Sequence, residues 1–175
     1  MPRIDFDALP DHGRLWVFPA SRTLSPDEVR RTTDVVDAFL GEWAAHGVPL
    51  RSARQVRHAQ FLLVGVDVDA EAPSGCSIDA LVNRLRILGE ELGVTFIDHS
   101  PIWFRDGETI RTTPRPAFRA LAESDEVSLE SVVFDTSLTT VSQLRDEELE
   151  KPVSDSWHAR AFFRTAPNSA HGGNV

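Results

Sequence analysis

The sequence predicts an α+β fold. Its first part reads as a βαββαβ run, the split βαβ or ferredoxin-like arrangement, an antiparallel sheet with its helices on one face, and a mixed C-terminal extension follows. Three observations predict it. Two stretches, around 25–47 and 77–93, carry apolar residues at spacings of three and four behind helix-start signals. The two most apolar short runs, Leu15–Phe18 and Phe61–Val66, occupy the first and third strand positions, which that topology places at the centre of its sheet. The chain has 175 residues, 41% hydrophobic and 26% charged, the size and usage of one ordinary domain.

Residues 1–13 read as an irregular lead-in. Leu15-Trp16-Val17-Phe18, stopped by Pro19, reads as a buried strand. Ser25-Pro26-Asp27-Glu28 supplies an N-cap serine, a proline at the first helical position and a glutamate at the third. Val29, Thr33, Val36, Phe39, Leu40 and Trp43 follow at helical spacing, and His46-Gly47 is the expected end, with glycine as left-handed terminator. Leu50 to Arg57 has apolar residues only at intervals, as an edge strand does, whereas Phe61–Val66 reads as a central strand. Asp67 to Gly75 is a turn-rich loop. The second helix is expected to begin near Ser77, to carry Ile78, Leu81, Val82, Leu85, Leu88 and Leu92 on one face, and to end at Gly93. Thr95-Phe96-Ile97 is the expected fourth strand, at an edge.

Beyond residue 97, Ile102–Phe104 and Thr109–Thr112 flank Asp106-Gly107, a hairpin signal. Short helices are expected at Pro116–Glu123, Val141–Leu149 and Ser156–Arg164, with a strand at Val132–Phe134. There is no internal repeat and no low-complexity block. Residues 1–164 are expected to form a single α+β domain, and 165–175, small and polar, a disordered tail.

The formal net charge is −9, which opposes non-specific nucleic-acid binding and docking on an anionic membrane surface, since both need clustered Lys and Arg. Met1 to Gly13 lacks the basic-then-apolar pattern of a signal peptide, no apolar run approaches the ~18 residues of a membrane span, and the one cysteine, Cys76, allows no intrachain disulfide. The expected location is cytoplasmic. Of the 18 basic residues only Lys151 is a lysine, so Schiff-base chemistry is not expected.

Ser74-Gly75-Cys76-Ser77-Ile78-Asp79 joins a central strand to a helix start, where exposed backbone N–H groups favour an anion or a thiolate. Cys76 reads as a low-pKa nucleophile flanked by Gly75, Ser77 and Asp79. The plainer reading is a small buried filler behind an N-capping Ser77, with Asp79 complementing the helix dipole. In the βαββαβ topology Cys76, His46 and His99 gather at one end of the sheet, a thiol beside two imidazoles and thus either a candidate nucleophile with its base or a metal site. His46 alternatively serves as a helix C-terminal cation and His99 as a loop residue. Asp67 and Asp69, two apart on an extended chain, would point the same way, toward a cation or an acid–base role, unless they are simply a solvated strand end. Arg22 precedes the first helix and is an anion-binding candidate. Trp157 is expected to anchor the last helix, and His158 to complete a site or to be structural. No residue set has the spacing of a metal motif.

The Leu15–Phe18 strand with Arg22, Trp43-Ala44-Ala45-His46-Gly47, the Ser74–Asp79 segment and Ser156-Trp157-His158 together resemble a family of small bacterial proteins whose members often carry the label "ABC transporter ATPase". The resemblance runs from about Phe6 to Arg164. The family has no established activity, so the resemblance implies no catalytic residue. The label itself conflicts with the chain: a P-loop ends in Gly-Lys-Ser/Thr, and the only lysine here is followed by Pro152.

The expected function is a binding or protein-interaction module, its partner a protein or a small molecule, with self-association open and the cofactor unknown. The alternative is a small cysteine-dependent enzyme using Cys76 with His46 or His99 as base.

Overall fold

The structure is a computed structural model that describes residues 3–163; the expected tail, 165–175, lies outside them. In chain order the elements are β1 (Arg14–Pro19), α1 (Pro26–Glu42), β2 (Ala44–Ala45), β3 (Val48–Pro49), β4 (Ser52–Arg57), β5 (Phe61–Val66), α2 (Gly75–Leu92), β6 (Ile102–Asp106), β7 (Thr109–Thr113), α3 (Arg115–Glu123), β8 (Val132–Phe134), α4 (Val141–Arg145), β9 (Glu150–Pro152) and α5 (His158–Phe162). They form two compact units. The first comprises the residues through His99 with Thr136–Leu149, and the second Ser100–Asp135 with Glu150 onward. All pairing between these strands is antiparallel, so the α+β class holds.

In the first unit β5 lies between β1 and β4. Phe18 faces Leu62 and Trp16 faces Val64 across one ladder, and Val56 and Arg54 face the same two residues across the other. The even-numbered side chains of β5 therefore share a face, and both long helices lie against it: Val36 and Leu40 from α1, and Leu81, Leu85 and Leu88 from α2, join Phe18, Leu62, Val64 and Val66 in one buried cluster. Each such side chain contributes ~1.5–3 kcal/mol on burial. On the other face Leu9, Ala53 and Val141 form a smaller cluster, flanked by Ile4 and Phe6.

The first helix begins as its sequence predicts: Ser25 and Glu28 complete a reciprocal capping box behind Pro26. The second begins earlier than expected. Ser74, not Ser77, is the N-cap, and Ser77 is the third helical residue whose hydroxyl accepts from the Ser74 N–H, so a Ser-x-x-Ser box starts α2 at Gly75. The first helix also ends earlier. It stops at Glu42 because Trp43 turns to extended backbone, and His46-Gly47, expected as the helix terminus, form instead the two-residue turn of the β2–β3 hairpin, with φ of 51° and 77°.

The expected fourth strand does not form; Thr95–Ile97 is irregular. The reason lies along the outer edge of β1. Leu15 N–H donates to Thr139 O, Val17 O accepts from the His99 ring, and Pro19, at the next outward position, has no N–H. Ser21 N–H takes Thr95 O just beyond the strand. These contacts occupy the edge at Leu15 and Val17 in place of a continuous ladder.

The second unit holds a four-stranded sheet in the order β7-β6-β8-β9. Its core joins Ile102, Phe104 and Val133 to Phe118 of α3, with Val153 and Phe162. The β6–β7 hairpin and α3 lie where the sequence places them; β9 is unforeseen. The helix expected over Val141–Leu149 is only α4, because Glu147 takes a left-handed conformation, φ 60°. The last helix begins at His158 rather than Ser156, whose backbone is extended, and it ends at Phe162.

Candidate functional site

Trp43 is the pivot of the candidate site. An indole buried to 3% exposure needs a partner for its N–H, and Trp43 Nε1 donates to Ser77 O at 2.8 Å. That bond ties the end of α1 to the first turn of α2. Trp16 meets the indole edge-on with ring centres 6.1 Å apart, and Phe39 lies at 5.7 Å. Beside this aromatic group opens a pocket of about 450 Å³ lined by Phe39, Glu42, Trp43, Ala44, His46, Ser74, Cys76, Ser77 and Ala80. Its floor is aromatic, and a carboxylate, an imidazole, a thiol and a hydroxyl stand around it.

Of the three residues expected to gather, the structure brings two to this pocket. Cys76 is the second residue of α2 and is exposed, not a buried filler. His46 reaches the same pocket from the β2–β3 turn. His99 is engaged elsewhere, its Nε2 2.8 Å from Val17 O on β1. Ser77 is buried and committed to the capping box, and its hydroxyl also donates to Ser74 O. Gly75 stands in open space, with no atom near where a Cβ would sit, so no close approach within the chain demands glycine there. Asp79 is exposed and lies beyond the first turn of α2.

The remaining candidates are held apart from the pocket by their partners. Asp67 and Asp69 do not share a site, because the chain turns there instead of running extended. Asp67 Oδ1 accepts from Asp69 N–H at 3.0 Å and its Oδ2 faces Arg51 at 3.5 Å, while Asp69 bonds His12 at 2.7 Å. Arg22 forks onto Glu28, both contacts 2.8 Å, and donates to Leu92 O at 2.9 Å, clamping the start of α1 to the end of α2. Arg22, with the Ser25 N–H, holds the Glu28 carboxyl well below the usual carboxylate range. His158 is 1% exposed, stacked on Trp157 at 3.9 Å and bonded to Ser156 Oγ through Nδ1. Burial pushes its pKa down to about 4.

Two other hollows carry less chemistry. One of about 420 Å³ at the end of α2 is walled mainly by Leu85, Val94, Phe96 and Ile97. A polar one of about 320 Å³ in the second unit contains Arg105 and Arg111, but these pair with Glu150 and Asp106. Among the described residues no group of three or more His, Cys, Asp or Glu side chains is placed to hold a metal ion, and no helix is long and apolar enough to cross a membrane.

Sequence reasoning missed Phe39, Glu42, Trp43, Ala44 and Ala80 as pocket residues. The sequence says only that a tryptophan at the end of a helical pattern has to satisfy its N–H; a helix start offers free N–H donors rather than acceptors, so nothing in it pointed to Ser77 O as the partner. Compared with family models, with curated proteins and with solved structures, the chain finds no match in any of the three.

Proposed function

We propose that the protein is a binding module whose site is the pocket between the end of α1 and the start of α2. The observation that carries this reading is the pairing of an aromatic floor, Trp43 and Phe39, with a polar rim of Glu42, His46, Ser74 and Cys76. A concave site with an apolar body and a few convergent polar groups suits a ligand built the same way. The group bound is thus an aromatic or aliphatic moiety with a polar tip, free or on a partner protein. Titrating indole or benzyl alcohol into labelled protein tests it: amide shifts should concentrate at residues 39–46 and 74–80. Ala80→Leu, which fills the pocket from an exposed helix position, should abolish them. Shifts scattered over the surface, or unaffected by Ala80→Leu, would count against the site.

The second reading, cysteine-dependent chemistry, is supported by the exposure of Cys76 in a pocket that His46 also lines. A pH series of alkylation rates on the native protein tests it. Faster reaction at pH 7 than a model thiol, lost in His46→Gln, would favour the enzyme; a rate equal to the model thiol would leave only the binding role.

The strand order β1-β5-β4 supports reading the first unit as a split βαβ sheet without its fourth strand. The cytoplasmic location and the membership suggested by the Ser-Gly-Cys-Ser-Ile-Asp and Ser-Trp-His strings belong to this same proposal. They rest on the sequence.

A further inference from the structure

The second unit buries a titratable cluster that the pocket does not use. His158, on the first turn of α5, is enclosed by aromatic rings: Trp157 stacks on it at 3.9 Å, and Phe118 and Phe162 lie with ring centres 6.4 and 6.3 Å away. Phe118 of α3 also meets Phe162 edge-on at 5.0 Å, and Arg119 of α3 donates to Ala161 O at 3.0 Å, so α5 is held to α3 by these aromatic contacts and one hydrogen bond at its end. The charges acting on the imidazole come from three elements. Lys151 of β9 and Arg115 of α3 oppose its protonation, while Asp135, just after β8, favours it. Asp135 is already bound to Lys151, 3.1 Å away, and Arg115 lies over the indole of Trp157 at 5.2 Å. A proton on His158 would thus place a further cation within a nearly water-free cluster whose single carboxylate is already matched to a lysine.

We propose that His158 is an acid-sensitive latch: neutral, it holds α5 against α3, and protonated, it releases α5 and uncovers the aromatic surface around Phe118. The helix has five residues, so its aromatic contacts and not its own hydrogen bonding keep it folded. Opening it returns the imidazole to water. In the closed state burial holds the pKa at about 4, from the ordinary 6.5. The open state therefore takes up the proton first as pH falls. Its population should rise about tenfold per pH unit below 6.5 and level off near 4, roughly 300-fold in all.

The test is hydrogen exchange of the full chain from pH 7.5 to 4, corrected for intrinsic rates. The reporters are the Ala161 and Phe163 amides, whose N–H groups donate to Trp157 O and Ala159 O. Their opening should grow with acid while that of Val133 in β8 and Leu63 in β5 stays flat, and His158→Phe should remove the slope. Should the phenylalanine variant fold poorly, His158→Gln serves, and the titration of the His158 ring in the wild type gives an independent midpoint. Flat opening of α5 in the wild type, an equal slope in the variants, or α5 and β8 opening together throughout would each overturn the latch.

Discussion

A tryptophan organises its surroundings in two places and by different contacts: Trp43 donates its N–H to Ser77 O, and Trp157 stacks its ring on His158. At the first, the effect is to hold a pocket open beside Cys76. At the second, it is to seal an imidazole away from water. The sealed imidazole has a consequence for stability. The folded pKa of about 4 lies below the ordinary 6.5, so the unfolded chain binds the proton more readily. The stabilisation is complete above pH 6.5 and is lost as pH falls toward 4, about 3 kcal/mol in total. Urea titrations of wild type and His158→Phe should therefore diverge across that window. Curves that run parallel from pH 7 to 4 would show that the imidazole titrates as it does in the unfolded chain.

At the scale of elements, α2 supplies much of the first core, and two changes on it test how it is packed. Leu85 is fully buried between sheet and helices, so Leu85→Ala should cost ~2–5 kcal/mol in chemical denaturation; a loss under about half a kcal/mol would mean that the helix presents another face. Gly89→Ala should also destabilise, by ~1–3 kcal/mol, although alanine is the better helix former. Its Cβ would stand 2.5 Å from Val94 O, where the chain folds back after Gly93, and backbone cannot step aside as a side chain can. A stabilised Gly89→Ala protein would contradict that close approach. These elements also mark what the sequence made legible. The strand Phe61–Val66, the face of α2 and the Ser25 box followed directly from period and capping chemistry. The end of α1 did not, because the apolar period continues through Trp43, whose backbone turns extended and whose indole bonds Ser77 O, 34 residues away. The missing fourth strand was hidden for a related reason. Thr95–Ile97 has strand-like residues, but the edge it would join carries contacts to His99 and Thr139 instead.

For the whole molecule, the antiparallel first unit brings residues 39–46 and 74–80 to one end of the α1–α2 pair and makes a pocket that neither segment could form alone. Cys76 was visible as a candidate in the sequence because the Ser74–Asp79 segment marks a helix start; its aromatic surroundings were not, since they depend on how two helices meet. The acidic balance, net −9, fits a ligand that is not a polyanion. The central claim, that this pocket binds a group with an apolar body, is tested most directly by letting Cys76 report on it. The native protein is equilibrated with two small disulfides of matched reactivity, one bearing a benzyl group and one a hydroxyethyl group, and the mixed disulfide at Cys76 is quantified by mass spectrometry. Several-fold preference for the benzyl adduct is expected, lost in Ala80→Leu. Equal capture of the two, or a preference that survives filling the pocket, would contradict it.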